Sequence, residues 1–296
     1  MNEQALVSLV IPTRERPELV IRAVQSALSQ TYQNLEIIVV IDGPDPSTIE
    51  ALKQVADVRL RWIEQPLSSG ACGARNRGAD EAAGPWVAFL DDDDEWFPTK
   101  VEKQMRVAAN STYQYPVVSC RVLARRPSGD TVWPLKAYKN GTSMAEYLFC
   151  RSGIRQGEGF VQTSTLLAPK SLLQSVPFTA GLTRHQDWDW LMRIAARSGV
   201  GFEWAWEPLV MYDMISASSN ISRARGWRNS YDWAGSQPAM TPKATAYFMA
   251  TQVASRSSHD ALGALPKVLG RAWRYPHACL LAFGLFAKSL AWRPQR

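Results

Sequence analysis

The 296-residue sequence has no CxxC pair, and its four cysteines, Cys72, Cys120, Cys150 and Cys279, fit no zinc-ligand spacing. They read as reduced, mostly buried thiols of a cytosolic protein. Met1 to Leu6 is polar and a strand follows at once, so no secretory signal is expected. No apolar run approaches the ~20 residues needed to span a bilayer. No internal repeat or low-complexity tract is present. The length then allows one large α/β domain, or such a domain with an appendage. Acidic residues are missing after Asp260, while Lys267, Arg271, Arg274, Lys288, Arg293 and Arg296 follow it. Those six charges equal the whole formal excess of +6. Such a tail binds nucleic acid, anionic lipid or nothing in particular.

What is present builds a real core, since 46% of the residues are hydrophobic and 20% charged. Tryptophan is abundant, and Trp188, Trp190, Trp204, Trp206, Trp227 and Trp233 lie in the middle and second half. These fill core and interface, or line a sugar-binding face.

Val7 to Ile11 reads as a first strand, stopped by Pro12. Arg16-Pro17-Glu18 opens a helix whose Leu19, Val20, Ala23, Val24, Ala27 and Leu28 share one face. Glu36 to Ile41 is a second strand, apolar enough for a buried parallel position. Ser47 and Glu50 are spaced as a capping box for a helix to about Ala56. Val58 to Ile63 is a third strand, Pro66 to Gly73 a loop, residues 74–83 a short helix, and Trp86 to Leu90 a fourth strand. This alternation implies a parallel, right-handed, Rossmann-like half. Further on, the pattern predicts a helix from Pro98 to Ala109, a strand pair over Val117 to Arg125 and Thr131 to Leu135, and a helix from Thr142 to Phe149. It then predicts a strand from Phe160 to Leu167, a helix from Asp187 to Arg197 and a strand from Phe202 to Val210. Beyond Ser216 the periodicity weakens.

Four aspartates, Asp91 to Asp94, directly follow the fourth strand. Carboxylates this close repel unless a cation neutralises them. Hard divalent ions take oxygen ligands and bridge protein carboxylates to substrate phosphates. The run therefore points to a metal and phosphate site at the carboxyl end of a strand, where open α/β sheets bind ligands. The competing reading is a solvated acidic turn or a helix N-cap before Pro98, a role that suits Asp94.

Five segments carry a resemblance. Val7-Ser-Leu-Val-Ile-Pro-Thr-Arg14, Ser26-Ala-Leu-Ser-Gln-Thr-Tyr-Gln-Asn-Leu-Glu-Ile-Ile-Val-Val40, Gly73-Ala-Arg-Asn-Arg-Gly78, Phe89-Leu-Asp-Asp-Asp-Asp-Glu-Trp96 and Gln186-Asp-Trp-Asp-Trp-Leu-Met-Arg193 resemble family 2 glycosyltransferases of the GT-A fold. In this order and spacing, over roughly residues 6–215, the set is specific. The resemblance implies an α/β fold, with a Rossmann-like nucleotide-binding half, a mixed central sheet and a C-terminal helical tail. It divides the chain into a nucleotide-sugar half (1–115), an acceptor half (116–215) and a basic extension (216–296).

The resemblance also implies roles. Asp93 would hold Mn²⁺ or Mg²⁺, and Asp91 the metal shell or the ribose, with Asp92 beside them on the donor; which carboxylate touches the ion stays open. Asp42 would accept a hydrogen bond from uracil, although it also suits an Asp-Gly-Pro turn. Pro12 and Thr13 would meet the base. Arg14 would stack or reach phosphate, or is a surface arginine. Arg75 would support the diphosphate or the aspartate run, with Asn76 facing the same crevice; both also suit a helix start. Asp187 would be the general base of an inverting transfer. Asp189 reads as a helix N-terminal acid, Arg193 as its tie, and Trp188 and Trp190 as acceptor wall or core.

Two departures stand out. Where many relatives carry a metal-binding histidine, this chain has Tyr212-Asp-Met-Ile215, so the metal has fewer protein ligands or Asp213 substitutes. The Gln-x-x-Arg-Trp of processive synthases is replaced by Arg223-Ala-Arg-Gly-Trp-Arg228, which favours single addition. The implied function is metal-dependent transfer from a UDP-linked sugar to a glycan or lipid-linked glycan acceptor, without nucleic acid. The enzyme would be cytoplasmic, with residues 264–296 resting on an anionic membrane surface or packed on the domain. A sugar-nucleotide nucleotidyltransferase is the rival enzyme, but Pro12-Thr-Arg-Glu-Arg16 lacks its glycines. A lipid- or nucleic-acid-binding module is the rival from another class, and it leaves the acidic run unexplained.

Overall fold

The computed structural model describes residues 4–153, 156–215, 227–257 and 260–291. Residues 223–226 of the Arg-Ala-Arg-Gly-Trp-Arg segment, and Trp292, Arg293 and Arg296 of the tail, lie outside the described residues. The chain divides into two compact units, residues 1–140 with 161–218, and residues 141–160 with 219–296.

The first unit is built on β1 (Val7–Thr13), α1 (Pro17–Leu28), β2 (Leu35–Ile41), α2 (Pro46–Lys53), β3 (Leu60–Glu64), α3 (Gly70–Glu81) and β4 (Trp86–Phe89). β1 pairs in parallel with β2 and β4, and β2 with β3. β1 is buried along its whole length and β4 throughout, which explains their continuous apolar runs. β1 runs through Pro12 to Thr13, further than expected. The last β1–β4 pair is Val10 with Phe89, so Pro12 lies beyond that ladder.

α1 buries Val20, Ala23, Val24 and Ala27, the face that its periodicity marks. α2 is capped by Asp45, whose Oδ1 accepts from the Thr48 amide at 3.1 Å, and not by Ser47. Pro46 follows that cap at the first helical position, where its missing N–H costs nothing. α3 begins at Gly70, four residues before the expected start. A Cβ on Gly78 would lie 2.3 Å from Val10 Cγ1, so glycine lets α3 settle directly on β1.

The chain continues through β5 (Glu95–Trp96), α4 (Lys100–Ala109), β6 (Tyr115–Arg125) and β7 (Thr131–Trp133), then α5 (Met144–Phe149) in the second unit. It returns as β8 (Leu167–Pro169), α6 (Lys170–Ser175), α7 (Gln186–Ala195) and β9 (Val200–Asp213). Among the described residues the strands form one mixed sheet in the order β3-β2-β1-β4-β8-β6-β9-β5, with β7 pairing on β6. The expected strand from Phe160 to Leu167 is instead a 3₁₀ turn, Thr163–Thr165, followed by the three-residue β8. The turn is stabilised by Thr165 Oγ1 donating to the Gln162 carbonyl at 2.6 Å.

β6 and β9 run parallel with a double irregularity. Cys120 pairs with Ala205, Arg121 with Pro208 and Val122 with Val210. The residues pushed out on β9 include Trp206, which is 41% exposed and lies under the Arg121 guanidinium at 4.9 Å.

The second unit gathers α5, α8 (Arg228–Ser236), α9 (Pro242–Phe248), α10 (Ala261–Ala272) and α11 (Pro276–Ala291). Phe248 is its centre, with ring contacts to Phe149 at 5.0 Å and Trp233 at 5.3 Å. Glu146 ties residues 141–160 to it, accepting from Thr241 Oγ1 at 2.9 Å and Lys243 Nζ at 3.2 Å.

Candidate active site

The aspartate run leaves β4 between two supports. The Leu90 amide still donates to the Val10 carbonyl at 3.0 Å, and β5 then pairs antiparallel with β9. Each carboxylate meets different neighbours. Asp91 accepts from Arg75 at 2.5 Å, and its amide donates to Ser164 Oγ at 3.0 Å. Asp92 accepts from Thr13 Oγ1 at 2.8 Å and from Arg16 at 3.1 Å. The Asp93 carboxylate lies 3.8 Å from Arg16, and its backbone carbonyl accepts from Arg22 at 3.0 Å. Burial, then Asp91 and Asp92, push the Asp93 carboxyl up to about 6, against Arg16.

Asp94 is fully buried and accepts from Ser164 Oγ at 2.6 Å and from the Gln162 amide. Burial, then Asp93 and Asp91, hold its carboxyl well above the usual range. The N-cap role expected for Asp94 is not observed. α4 starts at Lys100 after Thr99, and the Asp94 side chain is bonded instead to Gln162 and Ser164 at the 3₁₀ turn.

Arg75 carries the run across to α7. It is buried on α3 and donates to Asp91 and, at 2.6 Å, to Gln186 Oε1. Gln186 also donates to the Leu182 carbonyl at 2.6 Å, which fixes the loop entering α7. His185 makes that entry in the left-handed region at φ 60°, with its ring stacked on Trp188 at 4.9 Å. Asp187 follows Gln186 on the first turn and accepts from the Trp188 amide at 2.9 Å. Burial pushes its carboxyl up to about 6; the Trp188 amide and Arg75 oppose this, and Asp91 adds to it. Asp189 takes the structural part, accepting from Thr179 at 2.6 Å and Arg193 at 2.9 Å. Trp190 is core, stacked on Phe178 at 5.2 Å and donating to the Val176 carbonyl at 2.7 Å.

The residues expected at the nucleotide are more engaged than a bare crevice requires. Thr13 is spent on Asp92. Arg14 is exposed and donates to Ser68 Oγ at 3.0 Å. Asp42 is buried at the tip of β2 and holds the turn into α3. It accepts from Ser68 Oγ at 2.7 Å, the Ser69 amide at 2.7 Å and the Gly70 amide at 3.0 Å. Asn76 is paired with the Phe178 backbone, donating and accepting at 2.9 Å. Of the expected set, Asp91 and Arg75 join one bonded network with Gln186, the neighbour of Asp187, while Thr13 and Asp92 form a second one with Arg16.

Sequence reasoning missed several parts. Ser164 and Gln162 were hidden inside a predicted strand. The sequence pattern marks Arg16 only as a helix start. Tyr212 lies on β9, one step beyond the Glu95–Met211 pair, so the same register sets it opposite Asp94. Burial raises its phenol, and Asp94, Asp93, Asp187 and Asp91 raise it further. Only the pairing of β5 with β9 reveals this, and a two-residue strand has no sequence signature.

Among the described residues, no group of three or more His, Cys, Asp or Glu side chains converges on one point. Asp213 does not complete such a set, since its Oδ1 accepts from the Ile215 amide at 2.8 Å. Asp91 and Asp93, repelling each other, still suit a hard divalent ion. Such ions are commonly held by one or two carboxylates and complete their shell with phosphate and water.

The sequence profile of Glycosyl transferase family 2 matches residues 8–165, more than half of the chain. The amylovoran biosynthesis glycosyltransferase AmsB of Erwinia amylovora is 28% identical over 235 residues, 76% of this chain and 75% of its own length. The Escherichia coli UDP-Glc:alpha-D-GlcNAc-diphosphoundecaprenol beta-1,3-glucosyltransferase WfaP is 39% identical over 100 residues, 34% of this chain and 40% of its own. Among solved structures, S. aureus TarS 1-349 in complex with UDP-GlcNAc superposes with a TM-score of 0.60 at 13% identity, covering 96% of this chain and 90% of that one. The mannosyltransferase PcManGT from Pyrobaculum calidifontis, in complex with GDP-Man and Mn²⁺, gives 0.58 at 19% identity, covering 98% and 81%. At those identities the likeness is one of fold.

Proposed function

Because the chain belongs to glycosyl transferase family 2, we propose that it moves a sugar, with inversion, from a UDP-linked donor to a hydroxyl of a glycan or lipid-linked glycan acceptor. The carrying observation is the bonded frame Asp91–Arg75–Gln186, which joins the acidic strand tip to the turn that bears Asp187. Asp187 takes the proton of the acceptor hydroxyl as that oxygen attacks the anomeric carbon. The new carbon–oxygen bond forms on the face opposite the diphosphate. The old bond breaks, and the nucleoside diphosphate leaves with the electron pair. A carboxyl at about 6 is ionised at neutral pH and still basic enough for this task. Mn²⁺ or Mg²⁺ at Asp91 and Asp93 would stabilise the charge on the departing diphosphate.

A UDP donor is favoured by the names of WfaP and of the TarS complex, and a lipid-linked acceptor by that of WfaP. AmsB is by name an amylovoran biosynthesis glycosyltransferase, which favours bacterial polysaccharide synthesis as the setting. The cytoplasm, where the four free thiols stay reduced, is the proposed compartment.

The test is a panel of UDP-sugars and GDP-mannose with Mn²⁺, reading donor hydrolysis and transfer. One donor is expected to be consumed, and Asp93→Ala to be inactive. Asp187→Asn is expected to bind that donor in calorimetry while transfer falls by roughly 10²–10⁴. Equal transfer by Asp187→Asn and wild type would remove Asp187 from the mechanism.

A further inference from the structure

The second unit ends in two helices whose chemistry is unlike the rest of the surface. Residues 261–296 carry six cations and no acid. α10 presents Lys267 and Arg271 as exposed residues, and Arg274 is exposed just past its end. Their i, i+4, i+7 spacing places the cations along one side. At the turn between the helices, Trp273 is 65% exposed, with the Arg274 guanidinium 4.9 Å from its ring.

α11 is apolar on two faces. Ala278, Leu281, Ala282 and Phe286 are buried within the unit. Pro276, Leu280, Phe283, Gly284 and Ala287 form a second stripe that is exposed, with Leu280 at 70% and Phe283 at 52%. A surface helix normally turns a polar face outward, so this stripe needs a second apolar environment. Among the described residues no helix is long and apolar enough to cross a membrane.

We propose that α10, α11 and the turn between them form a docking surface for an anionic lipid bilayer. Leu280, Phe283 and Trp273 enter the boundary between headgroups and acyl chains. Lys267, Arg271 and Arg274 meet the phosphates. Charge decides the occupant. A second copy of the chain would bring like cations together across the interface, whereas an anionic leaflet complements both the stripe and the charges. Tryptophan suits this depth, being apolar in body and polar at its N–H. The surface stands independently of the reading of the active site.

The experiment is co-sedimentation of the full chain with phosphatidylcholine vesicles, with and without phosphatidylglycerol, at low and high salt. Binding is expected only with phosphatidylglycerol, and it should weaken as salt rises. Leu280→Ser with Phe283→Ser is expected to lower partitioning by about tenfold or more. Arg271→Ser with Arg274→Ser is expected to lower it by about fivefold per charge. Circular dichroism of both variants should match wild type, because the altered side chains are exposed. Failure to sediment, equal binding to neutral vesicles, or unchanged binding by the apolar double variant would each overturn the proposal. So would light scattering that found a dimer, dissociated by Leu280→Ser and Phe283→Ser, together with no vesicle binding; that result would assign the face to a second copy.

Discussion

Replacing Arg75 by Met tests whether the guanidinium holds the site together. The side chain is buried, and its guanidinium makes two charge-assisted bonds, to the Asp91 carboxylate and to the neutral oxygen of Gln186. A bond with an ionised partner is worth about 1.5–3 kcal/mol. At the low end for both, the sum is about 3 kcal/mol, the lower edge of the ~3–5 kcal/mol seen when one member of a buried pair is removed. The lower edge is right because the Asp91 side chain is 23% exposed, so water partly compensates it. At about 2–4 °C per kcal/mol for a unit of this size, the melting transition should fall by roughly 6–12 °C.

The cycle with Asp91→Asn is the sharper measurement. If the two residues act through each other, the double variant should be more stable than the sum of the singles predicts, by about 1.5–3 kcal/mol. Arg75→Lys should recover only part of the loss, because an ammonium lacks the planar fork that reaches Asp91 and Gln186 together. Additive single losses, or an Arg75→Met protein as stable as wild type, would refute the bridge.

Transfer should fall as pH drops through about 6, because protonated Asp187 cannot accept the acceptor proton. Asp93 titrates in the same range, so kcat/KM should drop more than tenfold per unit there at subsaturating Mn²⁺. With saturating Mn²⁺, which favours the charged form of Asp93, the drop should ease to tenfold. Lys100 is fully buried beside Trp96 and Gln104, and burial pushes its ammonium down to about 7. Between that value and 10.5 the unfolded chain holds a proton that the folded one lacks. Stability should therefore rise with pH over that span, by up to about 1.4 kcal/mol per unit, and urea midpoints of Lys100→Met should show a flatter profile. Asp42→Asn should cost about 2–4 kcal/mol in thermal unfolding, because an amide group would face the Ser69 and Gly70 donors. A residue that only reads the base would leave unfolding unchanged and raise the donor KM alone.

The parallel half of the fold was legible because β1, β2 and β4 are buried almost throughout and α1 is amphipathic. Val7–Ile11, Glu36–Ile41 and Trp86–Leu90 need no tertiary information to be recognised. Competition between equivalent local signals was harder to read. Asp45 and Ser47 are both able caps, and the proline between them decided for Asp45. The later strands were harder still, since β5 and β8 exist only through their partners. The candidate site divided in the same way. Asp91 to Asp94 and Asp187 could be picked out by residue type and order. Their supports, Ser164, Gln162, Arg16 and Tyr212, come from segments 68 to 118 residues away or from another strand. Residues 141–160 gave no sign that they group with helices more than 60 positions later.

Side chains alternate between the two faces of a strand, so a slip by an odd number of residues exchanges them. From Cys120 to Val122, β6 advances two residues while β9 advances five, from Ala205 to Val210. The difference is odd. Shortening the segment around Trp206 and Glu207 by one residue would therefore restore even parity beyond it. Tyr212 would swing to the opposite side of the sheet, and Asp213 would take its place facing Asp94. The irregularity that pushes Trp206 outward from β9 thus works as a parity switch for the acidic tip, and its length is under tighter constraint than its composition.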